Sequence, residues 1–168
     1  FRELPNAWIE LRTKSVAIQS LIKNTPLERA VVAFSFTPHE ISSQVEHGVP
    51  SVKTRIAAMQ KIAEQGWKLG LRIDPILDCN DFENRYSNLF REIFENIPEK
   101  AIHSISMGAF RMPKGFYKKI EKQYPEEALF ASGFHTENGF VGYHNETEKK
   151  LKNSCKKLLE RWPTPTKI

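Results

Sequence analysis

The stretch EHGVPSVKTRIAAMQKIAEQGWKLGLRIDPI, residues 46–76, decides how the rest of the chain can be interpreted. Its first part places apolar residues three and four positions apart, which predicts a helix over about residues 51–65. Gly66 then supplies a residue that can adopt the left-handed conformation at the end of a helix. Over residues 67–75 apolar and polar residues alternate, so we expect a strand that ends at its proline. The stretch therefore predicts a helix that leads directly into a strand.

Three other segments share this alternation: residues 8–14, 29–37 and 102–110. In each segment one side is apolar, and the other side carries charged, hydroxyl-bearing or small residues. Helical segments lie between the four strands, and this order favours parallel strands joined by crossovers. An antiparallel sheet with one wet face would give the same alternation and stays the alternative. In a parallel arrangement the polar sides face a lumen that can hold a polar ligand, and the residues concerned are Glu10, Arg12, Lys14, Ser35, Arg72 and Asp74.

Length and composition indicate a single globular domain of 168 residues, 40% hydrophobic and 27% charged. The net charge of +5 fits contact with a polyanion, although many basic proteins never touch nucleic acid. No apolar run approaches the roughly 20 residues of a membrane span, and no signal peptide opens the chain. Cys79 and Cys155 are too few for a disulfide scaffold, so we expect a cytoplasmic protein. We also expect no contact with a membrane. Because the chain begins with Phe1, we expect that an upstream part has been removed.

Two further helices are predicted before the last quarter of the chain. Residues 82–97 carry a continuous apolar stripe at helical spacing, and residues 78–81 look like a turn that caps this helix. Residues 113–124 predict a lysine-rich helix after the fourth strand. Both helices fit the alternating order of strands and helices.

The last quarter of the chain predicts a hairpin and a helix. The dipeptide Asn138-Gly139 is a strong turn signal, and we expect residues 129–134 and 139–143 to flank it. Asn145 is expected to cap a final helix, and the tail from Pro163 is expected to fray. The hairpin is the one antiparallel part expected in this chain.

Five segments, taken in order, resemble one family. They are LRTK (residues 11–14), AFSF (33–36), E-x-G-x-P-S followed by R-I-A-A (46–58), GWKLGLRIDPI (66–76) and GAFR (108–111). Together they resemble the C-terminal part of the spore photoproduct lyase family, within the radical S-adenosylmethionine enzymes. The likeness covers nearly the whole chain.

The resemblance implies an α/β fold, the C-terminal part of a partial (β/α)6 radical-SAM barrel. This chain would supply about four parallel strands with their helices, then a β-hairpin and a C-terminal helix. Residues 1–127 would form the barrel part, and residues 128–168 the hairpin and helix packed on it.

The resemblance also implies the chemistry. In this family a 4Fe-4S cluster reduces S-adenosylmethionine, and the resulting radical abstracts hydrogen from a cross-linked thymine dimer, which reverts. The cluster motif C-x-x-x-C-x-x-C and the hydrogen-donating cysteine are not in this sequence. We therefore expect no catalytic or metal-binding residue here, and a chain that is inactive on its own because the cluster ligands lie outside it. The expected partners are an electron-donor protein and damaged duplex DNA.

The site residues follow from the resemblance position by position. Those implied for the cofactor are Lys14, Ser35 and Asp74, and those implied for the substrate are Arg111, Phe140 and Tyr143. The hairpin departs from the family, because an Arg-Tyr pair is replaced by Asn138-Gly139-Phe140. A network of ion pairs that only neutralises the lumen is the alternative for the charged residues Glu10, Arg12, Arg72 and Asp74.

Two other functions stay open at this stage. One is a radical S-adenosylmethionine enzyme with a substrate other than DNA. The other is a non-catalytic α/β module that binds phosphorylated ligands or nucleic acid. A C-x-x-x-C-x-x-C motif upstream of Trp8 would favour an enzyme.

Overall fold

The computed structural model describes residues 6–162. The first half contains β1 (Ile9–Thr13), α1 (Gln19–Lys23), β2 (Ala30–Ser35), α2 (His39–Val45), α3 (Val52–Glu64), β3 (Lys68–Ile76) and α4 (Phe82–Asn96). The second half contains β4 (Ile102–Ala109), β5 (Arg111–Pro113), α5 (Lys114–Gln123), β6 (His135–Glu137), β7 (Phe140–Gly142) and α6 (Asn145–Leu159). Single 3-10 turns lie at Glu99–Ala101 and Ala128–Ala131.

Strands β1 to β4 form one parallel sheet in the order β1-β2-β3-β4. The predicted parallel arrangement is therefore confirmed, and the antiparallel wet sheet is wrong. The register aligns Leu11 with Val32 and Val32 with Leu69, so apolar side chains lie side by side on one face. The opposite face carries the charged and small residues of each strand.

The apolar face of the sheet packs against helices α3 and α4. Phe34, Leu71, Met59 and Phe90 are all nearly or completely shielded from solvent in this core. Burial of each such side chain contributes about 1.5–3 kcal/mol relative to exposure. Because helices cover this face, only the other face is free to hold polar groups.

The stretch that predicts a helix followed by a strand folds as expected, apart from one end. The Ser51 hydroxyl accepts a hydrogen bond from the Thr54 amide at 3.1 Å, and Gly66 has a φ of +87°. The strand continues through Pro75 instead of ending before it. Pairing with β4 skips Asp74 and Pro75, which has no N–H, and resumes where Ile76 aligns with Ala109.

A second, antiparallel sheet has the order β5-β7-β6. Asn138 and Gly139 form the tight turn, with φ values of 49° and 80°. The predicted first strand at residues 129–134 is wrong, because this segment holds a 3-10 turn and packs Phe130 and Phe134 against Tyr117. The strand lies at β6, and β5 adds a third strand that the sequence pattern did not predict.

Helix α6 buries its apolar stripe against α4 and β4. It begins at Asn145 with His144 in the capping position, so Asn145 is not the cap. Asp81 precedes α4 in a left-handed conformation, and its carboxylate accepts from the Asn84 amide at 2.6 Å rather than capping the backbone. The expected boundary at residue 128 stays a prediction, and the tail from Pro163 lies outside the described residues.

Candidate functional site

Polar side chains gather around Glu46 at the carboxyl ends of β1 and β2. The Glu46 Oε1 atom accepts from Lys14 Nζ at 2.6 Å and from Thr37 Oγ1 at 2.8 Å. Its Oε2 atom accepts from Ser42 Oγ at 2.7 Å and from Arg55 Nη2 at 2.8 Å. These five residues are called the carboxyl-edge cluster below. One carboxylate thus binds donors from both strand ends and from two helices.

The Glu46 side chain is only 7% exposed. Burial raises its pKa, but hydrogen bonds from Lys14, Ser42 and Thr37 outweigh burial and hold the pKa below the ordinary value of 4.5. The carboxylate is therefore ionised at neutral pH. An ionised, buried carboxylate requires paired donors, and this cluster provides four.

Arg55 lies on α3 and has no solvent exposure. Its Nη1 donates to the Ser35 carbonyl at 2.8 Å, and its Nη2 also donates to Ser42 Oγ at 2.8 Å. The guanidinium lies 5.6 Å from the centre of the Phe36 ring. Arg55 therefore fixes the carboxyl end of β2, where Ser35 lies.

A second group of charges lies on the face of the sheet away from α3 and α4. Arg72 binds both carboxylate oxygens of Glu10, at 3.0 and 2.5 Å, and donates to Ser104 Oγ at 3.1 Å. Arg12 approaches Glu10 at 3.2 Å and Asp74 at 3.5 Å. Glu10, Arg12, Arg72 and Asp74 are called the open-face cluster below. The alternative of an ion-pair network is thus present in the structure.

The open-face cluster differs from the first in exposure. Arg72 is buried, but the Arg12 and Asp74 side chains are 50% and 43% exposed. The hydrogen bond from Arg72 is the main cause that lowers the pKa of Glu10, against a smaller effect of burial. The charges of Arg12 and Asp74 are available to a polar ligand.

Two glycines make room for these side chains. A Cβ atom at Gly70 would lie 2.8 Å from Arg72 Nη2 and 2.9 Å from the Cβ of Ala33. A Cβ atom at Gly108 would lie 3.1 Å from Asp74 Oδ1. The absence of side chains here lets charged groups lie flat on the sheet.

The three residues implied for the cofactor do not form one contact network. Lys14 and Ser35 are linked through Glu46 and Arg55, whereas Asp74 belongs to the open-face cluster. Lys14 remains partly exposed, and Asp74 is accessible. An ammonium and a carboxylate at strand ends fit a ligand with a carboxylate and hydroxyl groups.

Two of the three residues implied for the substrate lie together at the surface. The Arg111 guanidinium stacks 3.8 Å from the centre of the Phe140 ring, across strands β5 and β7. Tyr143 is buried, its ring lies 4.9 Å from Phe134, and its hydroxyl accepts from the Asp78 amide at 2.8 Å. Burial raises the pKa of Tyr143 to about 12. Tyr143 has the environment of a core residue, and its substrate role stays a prediction.

Both cysteines are at least partly buried. Burial raises the pKa of the Cys155 thiol to about 12 and also raises the pKa of Cys79. Within residues 6–162, no three His, Cys, Asp or Glu side chains gather in a metal-binding arrangement. The expectation that cluster ligands lie outside this chain stays a prediction. Over the same residues, no helix is long and apolar enough to cross a membrane.

The sequence pattern did not identify the centre of the carboxyl-edge cluster. Glu46 and Arg55 both lie in the stretch that decides the fold, but no role followed from their types. One signal was available, since Arg55 occupies a position three residues after Val52 on the apolar stripe of α3. An arginine at a buried position requires a carboxylate partner, and Glu46 lies nine residues before it along the chain.

The chain matches known proteins of one family. A family model described as spore photoproduct lyase matches residues 3–164. Spore photoproduct lyase of Bacillus subtilis (strain 168) is 30% identical over 98 residues, 57% of this chain and 29% of that protein. The corresponding protein of Geobacillus sp. (strain Y412MC61) is 28% identical over 98 residues, with the same shares of each chain.

A solved structure shares the fold over nearly the whole chain. It is a mutant spore photoproduct lyase with bound AdoMet and dinucleoside spore photoproduct, with a TM-score of 0.82 and 22% identity. The match covers 95% of this chain and 50% of that one, in its C-terminal half. The chain therefore has the fold of part of a radical-SAM barrel and spans about half the length of that relative.

Proposed function

Because the chain belongs to the spore photoproduct lyase family, we propose that it forms the C-terminal part of a radical S-adenosylmethionine lyase that repairs thymine-dimer-type lesions in DNA. The observation that carries this proposal is the family match over residues 3–164, together with a parallel sheet that is charged on its uncovered face. Similar solved structures contain AdoMet and the dinucleoside lesion.

In this proposal Lys14, Ser35 and Asp74 bind the cofactor. The Lys14 ammonium donates to the carboxylate of S-adenosylmethionine, and Asp74 accepts from a ribose hydroxyl. Ser35 contributes its hydroxyl at the end of β2. When bound, S-adenosylmethionine supplies the hydrogen-abstracting radical after reduction by a 4Fe-4S cluster, whose ligands we expect outside this chain. An electron-donor protein would reduce that cluster.

Arg111 and Phe140 bind the lesion-containing strand. The guanidinium meets a phosphate, and the aromatic ring enters the distorted stack next to it. Their contact in the structure supports this assignment, because an arginine stacked on a ring presents both groups from one surface. Tyr143 then acts indirectly, because its hydroxyl accepts from the Asp78 amide and its ring packs against Phe134.

The experiment measures binding of the full-length protein that contains this chain to duplex DNA with and without a thymine-dimer lesion, as a function of salt. Arg111→Gln should lower the affinity and reduce the slope of log affinity against log salt, because fewer counterions are released. Phe140→Ala should leave the slope unchanged and weaken binding by about 1–3 kcal/mol, with a greater loss on the damaged duplex.

Lys119→Gln serves as the matched control, since it removes one positive charge from α5, outside the pair. It should leave the preference for damaged duplex unchanged. If the full-length protein binds neither duplex, or if Arg111→Gln and Phe140→Ala have no effect in it, the proposal of DNA repair fails. A radical enzyme acting on another substrate would then be favoured.

A further inference from the structure

Lys14 is held in place and is nevertheless available to a ligand. Its ammonium donates to Glu46 at 2.6 Å, and its side chain is 31% exposed. Among the described residues this is its one hydrogen bond, so two of its three N–H groups remain for another acceptor. The side chain thus has a fixed direction at the carboxyl end of β1 and unused donors.

Glu46 alone would cancel the charge that Lys14 offers to an anion. Arg55 supplies the compensating charge, because it binds the other carboxylate oxygen at 2.8 Å. Arg55 has no exposure, so it cannot contact a ligand in solution itself. Together the three side chains carry one net positive charge, and Lys14 is the member that reaches the solvent.

We propose that Glu46 and Arg55 are positioning residues for Lys14. Glu46 fixes the direction of the ammonium, and Arg55 balances the charge of Glu46 so that the ammonium still attracts an anion. Fixing a lysine in advance removes the side-chain entropy that it would otherwise lose when a ligand binds. The inference rests on the proposed function, in which the anion is the carboxylate of S-adenosylmethionine.

Glu46→Gln separates this positioning role from simple electrostatics, because the two predict opposite changes in the affinity for S-adenosylmethionine. Removal of a negative charge near Lys14 should by itself tighten the binding of an anion. The glutamine amide, however, has only one acceptor oxygen, and the fully buried Arg55 requires it. The amide nitrogen then faces Lys14 and cannot accept from it, so loss of orientation should weaken the binding of S-adenosylmethionine about tenfold. Calorimetry of the full-length protein with S-adenosylmethionine measures the difference, and equal or tighter binding overturns the proposal.

A double-mutant cycle tests whether Glu46 acts through Lys14. In a Lys14→Met background, Glu46→Gln should have little further effect on affinity. An undiminished effect in that background would mean that Glu46 supports the fold generally and does not position Lys14. Glu148→Gln is the matched control, since it removes a carboxylate that binds Lys152 on the surface of α6.

The orientation of Lys14 can also be measured without any ligand. A lysine ammonium gives a nitrogen NMR signal when a hydrogen bond slows its exchange with water, and we expect this signal for Lys14 in the parent chain and not in Glu46→Gln. If Glu46→Gln does not fold, Glu46→Asp is the second variant, because it keeps the charge and shortens the side chain by one methylene.

The NMR signal tests the positioning of Lys14 separately from its proposed cofactor role. If no variant binds S-adenosylmethionine, the proposed cofactor role of Lys14 fails, and the signal alone decides the positioning role. Loss of the signal in the Glu46 variant supports positioning. A signal of equal strength in both proteins overturns it.

Discussion

The carboxyl-edge cluster and the open-face cluster each join a glutamate to a buried arginine, but they differ in how far the glutamate is exposed. The Glu46 side chain is 7% exposed and Glu10 is 38% exposed. Glu46 is surrounded by four donors, whereas Glu10 shares its charge with Arg72 and the half-exposed Arg12. The buried cluster fixes positions, and the open one presents charges. Burial and completeness of hydrogen bonding, more than the presence of an ion pair, separate the two.

The largest expected effect comes from removing the two arginines. Arg55→Met should reduce the free energy of unfolding by about 3–5 kcal/mol, since it leaves Glu46 buried and poorly compensated. Arg72→Met should cost less, about 1–3 kcal/mol, because Glu10 keeps Arg12 and contact with water. Urea denaturation of both variants measures the difference. Equal losses would mean that exposure of the carboxylate does not distinguish the clusters.

The sequence predicted the parts of the fold that depend on local periodicity. The expected helix over residues 51–65 is observed at Val52–Glu64, and Gly66 has the left-handed conformation that ends it. These features follow from spacing along the chain and from backbone geometry. The parallel order followed from the strand and helix sequence in the same way.

A smaller effect is expected from the glycine beneath the open-face cluster. Gly70→Ala places a Cβ 2.8 Å from Arg72 Nη2 and 2.9 Å from the Cβ of Ala33, so it should destabilise the fold by about 1–3 kcal/mol. Gly115→Ala is the matched control on α5, where nothing lies within 4 Å of the new atom. It should be neutral or stabilise by up to about 1 kcal/mol. Thermal and urea unfolding should both show a loss of stability for Gly70→Ala and no loss for Gly115→Ala.

Other parts of the molecule depend on contacts that periodicity does not encode. Strands β5 and β6 have three residues each, too few to show alternation. The apolar segment at residues 129–134 resembled a strand, but its aromatic side chains pack around Tyr117 instead. The bond from Lys14 to Glu46 joins residues 32 apart in sequence, so only the packed fold reveals it.

The acid dependence of stability should also differ between the clusters. The pKa of Glu46 is lowered in the folded chain, so the unfolded chain binds its proton more readily. The stability from Glu46 is fully present above its ordinary pKa of 4.5 and is lost as the pH falls through the lowered value. Glu46→Gln should therefore flatten the fall in unfolding free energy below about pH 5.

Glu10→Gln provides the comparison for this titration. The pKa of Glu10 is also lowered, with the same sign of linkage, but its carboxylate is much more exposed and water screens its interactions. Glu10→Gln should therefore flatten the fall in unfolding free energy at low pH less than Glu46→Gln does. A larger change for Glu10→Gln would place the acid-sensitive charge in the open-face cluster.

The smallest effect on the unfolding free energy is expected for a lysine–glutamate pair on the surface. Lys152 and Glu148 are joined at 2.5 Å on α6, about as close as Lys14 and Glu46 at 2.6 Å. Both partners on α6 are more than a third exposed and lie four residues apart, and such pairs contribute about 0.3–0.5 kcal/mol. Glu148→Gln should therefore change the unfolding free energy by less than about 0.5 kcal/mol, and added salt should reduce even that change. Measured beside Glu46→Gln by urea denaturation, it holds the distance between the charged atoms nearly constant and varies burial. A loss as large as that of Glu46→Gln would show that distance governs these pairs, and the contrast between buried and open clusters would no longer hold.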